Sequence, residues 1–132
     1  MKRITTLSFF MLLCWITAFA IPRAEYPRPQ FERNAWINLN GEWTYSFDFG
    51  GSGLEREWFK STGFDQKIIV PFCPESKLSG VEYKDFINHM WYHRTISIPQ
   101  DWANKQVLLN FGAVYYKSEI YIDGVFAARH FG

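Results

Sequence analysis

The chain has 132 residues, room for one domain, with 48% hydrophobic and 20% aromatic side chains. That composition excludes a disordered tail and suits rings packed on a pleated sheet. A net charge of +1 is too balanced for a nucleic-acid partner or an anionic membrane surface.

At the N-terminus, Lys2 and Arg3 precede an apolar run over residues 7–16, and Ala18-Phe19-Ala20 follows it. These are the three parts of a secretory signal peptide, so residues 1–20 are assigned to it, with cleavage expected after Ala20 and a secreted or periplasmic product. The run is shorter than the ~20 residues a spanning helix needs, so no membrane span is expected. Cys14 does not mark a lipoprotein, because Leu13 stands where a small residue would be wanted. Removing Lys2 and Arg3 takes the net charge from +1 to −1 and leaves Cys73 as the last cysteine, which excludes an internal disulfide. Cys73, between Phe72 and Pro74, reads as a small packed side chain rather than a nucleophile.

Residues 21–35 form an extended leader in which Pro22, Pro27 and Pro29 disfavour helix. Asn38-Leu39-Asn40-Gly41 reads as a turn. Trp43, Tyr45, Phe47 and Phe49 then alternate with Thr44, Ser46 and Asp48, the clearest strand in the chain. Gly50-Gly51-Ser52-Gly53 has no Gly-Lys-Ser/Thr and is a flexible loop, not a phosphate cradle. Residues 54–60 are long enough for two helical turns. Ile68-Ile69-Val70 is a short strand stopped by Pro71, and residues 72–86 form a long irregular connection, of the kind more often functional than idle.

The stretch from 90 to 126 carries three more β-like runs. Tyr92, Ile96 and Ile98 share one parity against Thr95 and Ser97. Val107, Leu109 and Phe111 stand against Leu108 and Asn110, and Ile120 and Ile122 stand against Glu119, Tyr121 and Asp123. Period-2 alternation marks strands with one face buried and one wet. Asp123-Gly124 supplies the two positive-φ positions of a type I′ turn, so the chain should double back over residues 125–129.

Self-contained chemistry is not evident. His89 and His93 sit at the entry to a strand, where i and i+4 lie roughly 13 Å apart, too far for one ion. No Gly-x-Ser-x-Gly elbow occurs. Glu55 and Glu57 point apart, and Glu119 with Asp123 reads as a solvated face. No spacing predicts a carboxyl pair at the ~5–5.5 Å of retaining glycoside cleavage. No metal or cofactor is expected.

Seven short motifs occur in order: Leu39-Asn40-Gly41-x-Trp43; Ile69-Val70-Pro71-Phe72-Cys73-Pro74-Glu75-Ser76-x-Leu78-Ser79-Gly80; Trp91-Tyr92-x-Arg94; Ile98-Pro99-x-x-Trp102; Leu109-x-Phe111-Gly112-Ala113-Val114; Ile120-Tyr121-Ile122-Asp123-Gly124; and His130-Phe131-Gly132. Each alone is weak, but the ordered set resembles the N-terminal, sugar-binding-type domain of glycoside hydrolase family 2, which includes β-galactosidases, β-glucuronidases and β-mannosidases. The resemblance implies an all-β, galactose-binding-like jelly-roll β-sandwich over residues 36–132, incomplete at its C-terminal end. It also implies a carbohydrate substrate for the full-length protein, whose immunoglobulin-like domain and catalytic (β/α)8 barrel are expected to be missing here. No catalytic residue carries over, so the fragment itself reads as non-catalytic. Two alternatives are a stand-alone carbohydrate-binding module and a docking domain for a separately encoded catalytic chain.

In relatives the loop after the Val-Pro of this domain approaches the active-site mouth, which makes Glu75 and Ser76 the candidate sugar or interdomain contacts. Their competing role is hydrogen bonding to the loop's own backbone. Trp91 and Tyr92 have a sugar-stacking reading and a core reading, of which core is favoured. Arg94 is expected as a semi-buried ion pair at the sheet edge, and Trp43 and Trp102 as packing residues.

Overall fold

Of the two sheets in this computed structural model, which describes residues 21–132, the larger is built on β1 (Gly41–Phe47). The expected signal segment lies outside the described residues. β2 (Gln66–Val70) and β3 (Met90–His93) flank β1, both antiparallel to it, in the order β2-β1-β3. The register pairs Trp43 with Ile68, Tyr45 with Tyr92 and Phe47 with Met90, and directly opposed residues share a face. The alternation seen in the sequence thus puts a row of rings on one side of β1. That side holds the core: Ile68 is 0% exposed and Tyr45 5%. The burial of Ile68 contributes about 1.5–3 kcal/mol. Phe47 lies edge-on to Tyr45 at 5.1 Å, and Tyr83, from the 72–86 connection, covers Phe47 at 4.7 Å.

Trp91 and His93 take the opposite face of this sheet, opposed to Ser46 and Thr44. The second sheet meets that side. It is a hairpin of β4 (Lys117–Ile122) and β5 (Val125–Phe131), and it docks through Tyr121, which stacks on Phe59 at 4.9 Å and lies 6.1 Å from Trp91. The all-β expectation is borne out: two antiparallel sheets are joined by irregular chain, and the helical pieces among the described residues are three-residue 3-10 turns. Asp123 (φ +50°) and Gly124 (φ +77°) occupy the left-handed region that a type I′ turn demands, and Ile122 pairs with Val125 across it.

Five expectations are corrected. First, residues 107–114 form no strand. Leu108, Leu109 and Phe111 are exposed, because alternation can mark a face but only a hydrogen-bonded neighbour makes a strand, and none among the described residues pairs with this run. Second, β3 stops at His93 and Thr95–Ile98 is irregular. Third, the two faces of β4 do not divide as expected: the register shifts between Ile120 and Tyr121, Ile122 is 53% exposed, and Tyr121, expected on the wet side, packs on Phe59. An aromatic pair outweighed an isoleucine in deciding which face turned inward. Fourth, residues 54–60 make turns closed by a 3-10 turn at Trp58–Lys60, with Glu57 at φ +54° in place of regular helix. Fifth, Cys73 is exposed, not packed, since it lies at the turn that follows β2.

The leader contains one 3-10 turn, Pro29–Phe31, and is tied down by the Asn38-Asn40 turn. The Asn38 carboxamide accepts from the Asn40 N–H at 2.8 Å, an Asx turn, and the two amide groups donate to the Arg23 and Pro22 carbonyls.

Candidate functional site

The 72–86 connection is held in shape by its own polar groups. Ser76 caps the 3-10 turn Lys77–Ser79, its hydroxyl accepting from the Leu78 N–H at 3.1 Å. Ser79, 0% exposed, donates to the Ser76 carbonyl at 2.7 Å and accepts from the Val81 N–H at 3.1 Å. The Tyr83 N–H closes the loop on the Pro74 carbonyl at 3.0 Å. Ser76 is therefore engaged with the loop backbone, whereas the Glu75 side chain is exposed. Glu75 acts on Tyr92 of β3. Burial first, then the Glu75 carboxylate and the Cys73 and Tyr45 groups, push the Tyr92 phenol up to about 12. Tyr92 is 42% exposed, so Glu75, Cys73 and Tyr92 share a solvent-reaching corner at one end of the core face. It contains a carboxylate, a thiol and a neutral phenol but no base positioned against a nucleophile.

Trp91 is not available for stacking on a sugar. Its ring contacts Trp58 and Tyr121, and its indole N–H donates to the Asp48 carboxylate at 3.2 Å. Asp48, 5% exposed, also accepts from the Ser52 N–H at 2.9 Å and the Gly53 N–H at 2.8 Å. Burial pulls its carboxyl upward, but the Gly53 N–H, the indole, the Ser52 N–H and the His89 charge together hold it below the usual range. This clamp, absent from the sequence reading, turns the glycine loop into a fixed structure. The legible signal was an Asp entering a glycine-rich loop, the residue type that captures loop N–H groups.

Among the described residues Arg94 forms no ion pair. Its Nη1 donates to the Glu42 carbonyl at 3.0 Å and the Asn40 carbonyl at 3.4 Å, and the guanidinium lies 5.9 Å from the centre of the Trp43 ring. β3 has ended one residue earlier, so the side chain supplies the donors that a continued strand would have brought to β1. The Trp43 indole donates to the Leu39 carbonyl at 2.7 Å, consistent with packing. No group of three His, Cys, Asp or Glu residues among the described ones is arranged to hold a metal ion. No described helix is long and apolar enough to cross a membrane.

No family model matches the chain. Individual proteins do. It is 29% identical to a beta-glucuronidase of Felis catus over 81% of its own length and 18% of the relative's. It is 28% identical to the beta-glucuronidase of a Streptococcus agalactiae strain, over 81% and 17% of the two chains. A third, from Canis lupus familiaris, is 26% identical over 91% and 20%. The chain thus spans about a fifth of the length of the curated relatives it matches.

Proposed function

From a chain related to the N-terminal domain of glycoside hydrolase family 2, as its likeness to beta-glucuronidases indicates, we propose that this is the non-catalytic, sugar-binding-type domain of a secreted glycosidase. The observation that carries the reading is that mammalian and bacterial beta-glucuronidases match it alike, each over the same small share of its length. The all-β fold agrees. Hydrolysis of O-glycosyl bonds, in the full-length protein, falls to residues outside this stretch, and the relatives' name suggests a β-glucuronide as substrate. Within the chain, exposed Glu75 is the group that reaches toward sugar or a neighbouring domain. Ser76 serves by fixing the loop that presents it.

The test is an assay of the purified chain on nitrophenyl β-D-glucuronide, with nitrophenyl galactoside and mannoside in parallel. No hydrolysis is expected, since no carboxyl pair of glycosidase spacing is assembled. Turnover that disappears on substituting a residue within 21–132 would overturn the non-catalytic role. Export is checked by the mass of secreted material, which should begin at Ile21.

A further inference from the structure

Where β3 leaves β1, the two chains part around a hollow of about 330 Å3. Trp43, Thr44, Thr62, His93, Arg94 and Thr95 line it. Its size is at the small end of ligand sites, ~300–1,000 Å3, which suits one sugar ring and not an oligosaccharide. The wall is built of groups with unused hydrogen-bonding capacity. A guanidinium has five N–H donors in a planar fork. Arg94 spends Nη1 on the carbonyls of Asn40 and Glu42. Among the described residues, no carboxylate lies within ion-pair distance of it, and Nε and Nη2 have no hydrogen-bond partner. Those two carbonyls also hold the fork in place, so little ordering is left for a ligand to impose.

The remaining wall completes a recognition surface. The acid that borders the hollow, Glu42, is neutralised by Lys67 at 2.8 Å. The Thr44 hydroxyl is engaged with the Phe64 N–H and the His93 carbonyl, but the hydroxyls of Thr62 and Thr95 have no partner among the described residues. Trp43 and His93 also border the hollow. A fixed cation fork and two free hydroxyls match a ring that has a carboxylate and hydroxyls. We propose that this hollow binds a carboxylate-bearing monosaccharide, a hexuronate, through residues of this chain alone. The inference deepens the carbohydrate reading above and rests on it.

The experiment is a titration of the full chain with glucuronate, glucose and acetate, followed by 1H–15N NMR. Glucuronate should shift the Arg94 side chain and the Thr62 and Thr95 amides saturably at millimolar concentration, while glucose and acetate leave them in place. Arg94→Lys keeps the charge but loses the fork, and should weaken glucuronate binding about tenfold or more. Because Arg94 also holds β1, Thr62→Val is the second variant: it should weaken binding several-fold with an unchanged melting temperature. Equal shifts with glucose overturn the carboxylate assignment and leave the carbohydrate reading standing. Equal shifts with acetate overturn the sugar assignment. Glucuronate shifts confined to the Glu75 loop, or no shift at the hollow, overturn the site itself. The non-catalytic role is judged independently by the hydrolysis assay.

Discussion

At Gly53 the chain tolerates no side chain. An added Cβ would land on the Trp91 indole and 2.8 Å from a carboxylate oxygen of Asp48, so Gly53→Ala must push apart the ring and the acid that organise the loop. Overpacking of this kind costs typically 1–3 kcal/mol, and the loss is expected at the upper end because hydrogen bonds to a charged group are broken with it. Urea unfolding gives the number, and an unchanged midpoint would show that the clamp is not a support. Asp48 itself predicts a pH dependence. Its folded pKa is depressed, so its stabilising contribution is fully present above the unfolded carboxylate value near ~4 and is lost as pH falls through the folded value. The wild-type urea midpoint should therefore drop between neutral pH and pH ~3 by more than that of Asp48→Asn, compared over the same range.

The hairpin of β4 and β5 shows how one element is held by both its turn and its charges. Glu119 accepts from Lys117 at 3.1 Å, from Arg129 at 3.0 Å and from the Tyr121 phenol at 3.0 Å. The Lys117 contact first, then Tyr121 and Arg129, keep its carboxyl below the usual range against the effect of burial. These bonds fix Tyr121 against Phe59, and so they orient the whole hairpin on the larger sheet. The turn is the second anchor. At Gly124 (φ +77°) a Cβ would be strained by the backbone and would also crowd the Lys60 side chain at 3.3 Å. Gly124→Val is expected to lower stability by about 1 kcal/mol or more, read as a fall in melting temperature. If the variant melts like the parent, the turn is not of the positive-φ type described.

Among the described residues, much apolar surface is left uncovered. Leu108, Phe111, Val125, Phe126 and Phe131 are each roughly half exposed or more, and β5 pairs only with β4 among the described strands. A sheet whose apolar face has no cover, beside a free row of backbone donors and acceptors, is a template for association. The isolated chain should grow in apparent mass as concentration rises, seen by size exclusion with light scattering. Leu108→Lys with Val125→Lys should suppress that growth without lowering the melting temperature, since neither side chain is buried. A monodisperse monomer at all concentrations would show that these faces find cover within the chain.

Local rules fixed β1, β2 and the hairpin turn from the sequence alone. A strand with alternating rings and a positive-φ dipeptide are each set by steric preferences that act over two to seven residues. The ordered motifs likewise carried the likeness to family 2, although the relatives matched are only 21–29% identical. Tertiary contacts decided the rest. Whether residues 107–114 became a strand depended on a neighbour, and which face of β4 turned inward depended on Phe59, 62 positions from Tyr121. That Arg94 would satisfy the carbonyls of Asn40 and Glu42 followed from where β3 ends. Such choices are made between residues far apart in the chain, where a pattern shows what a side chain prefers but not what it will meet.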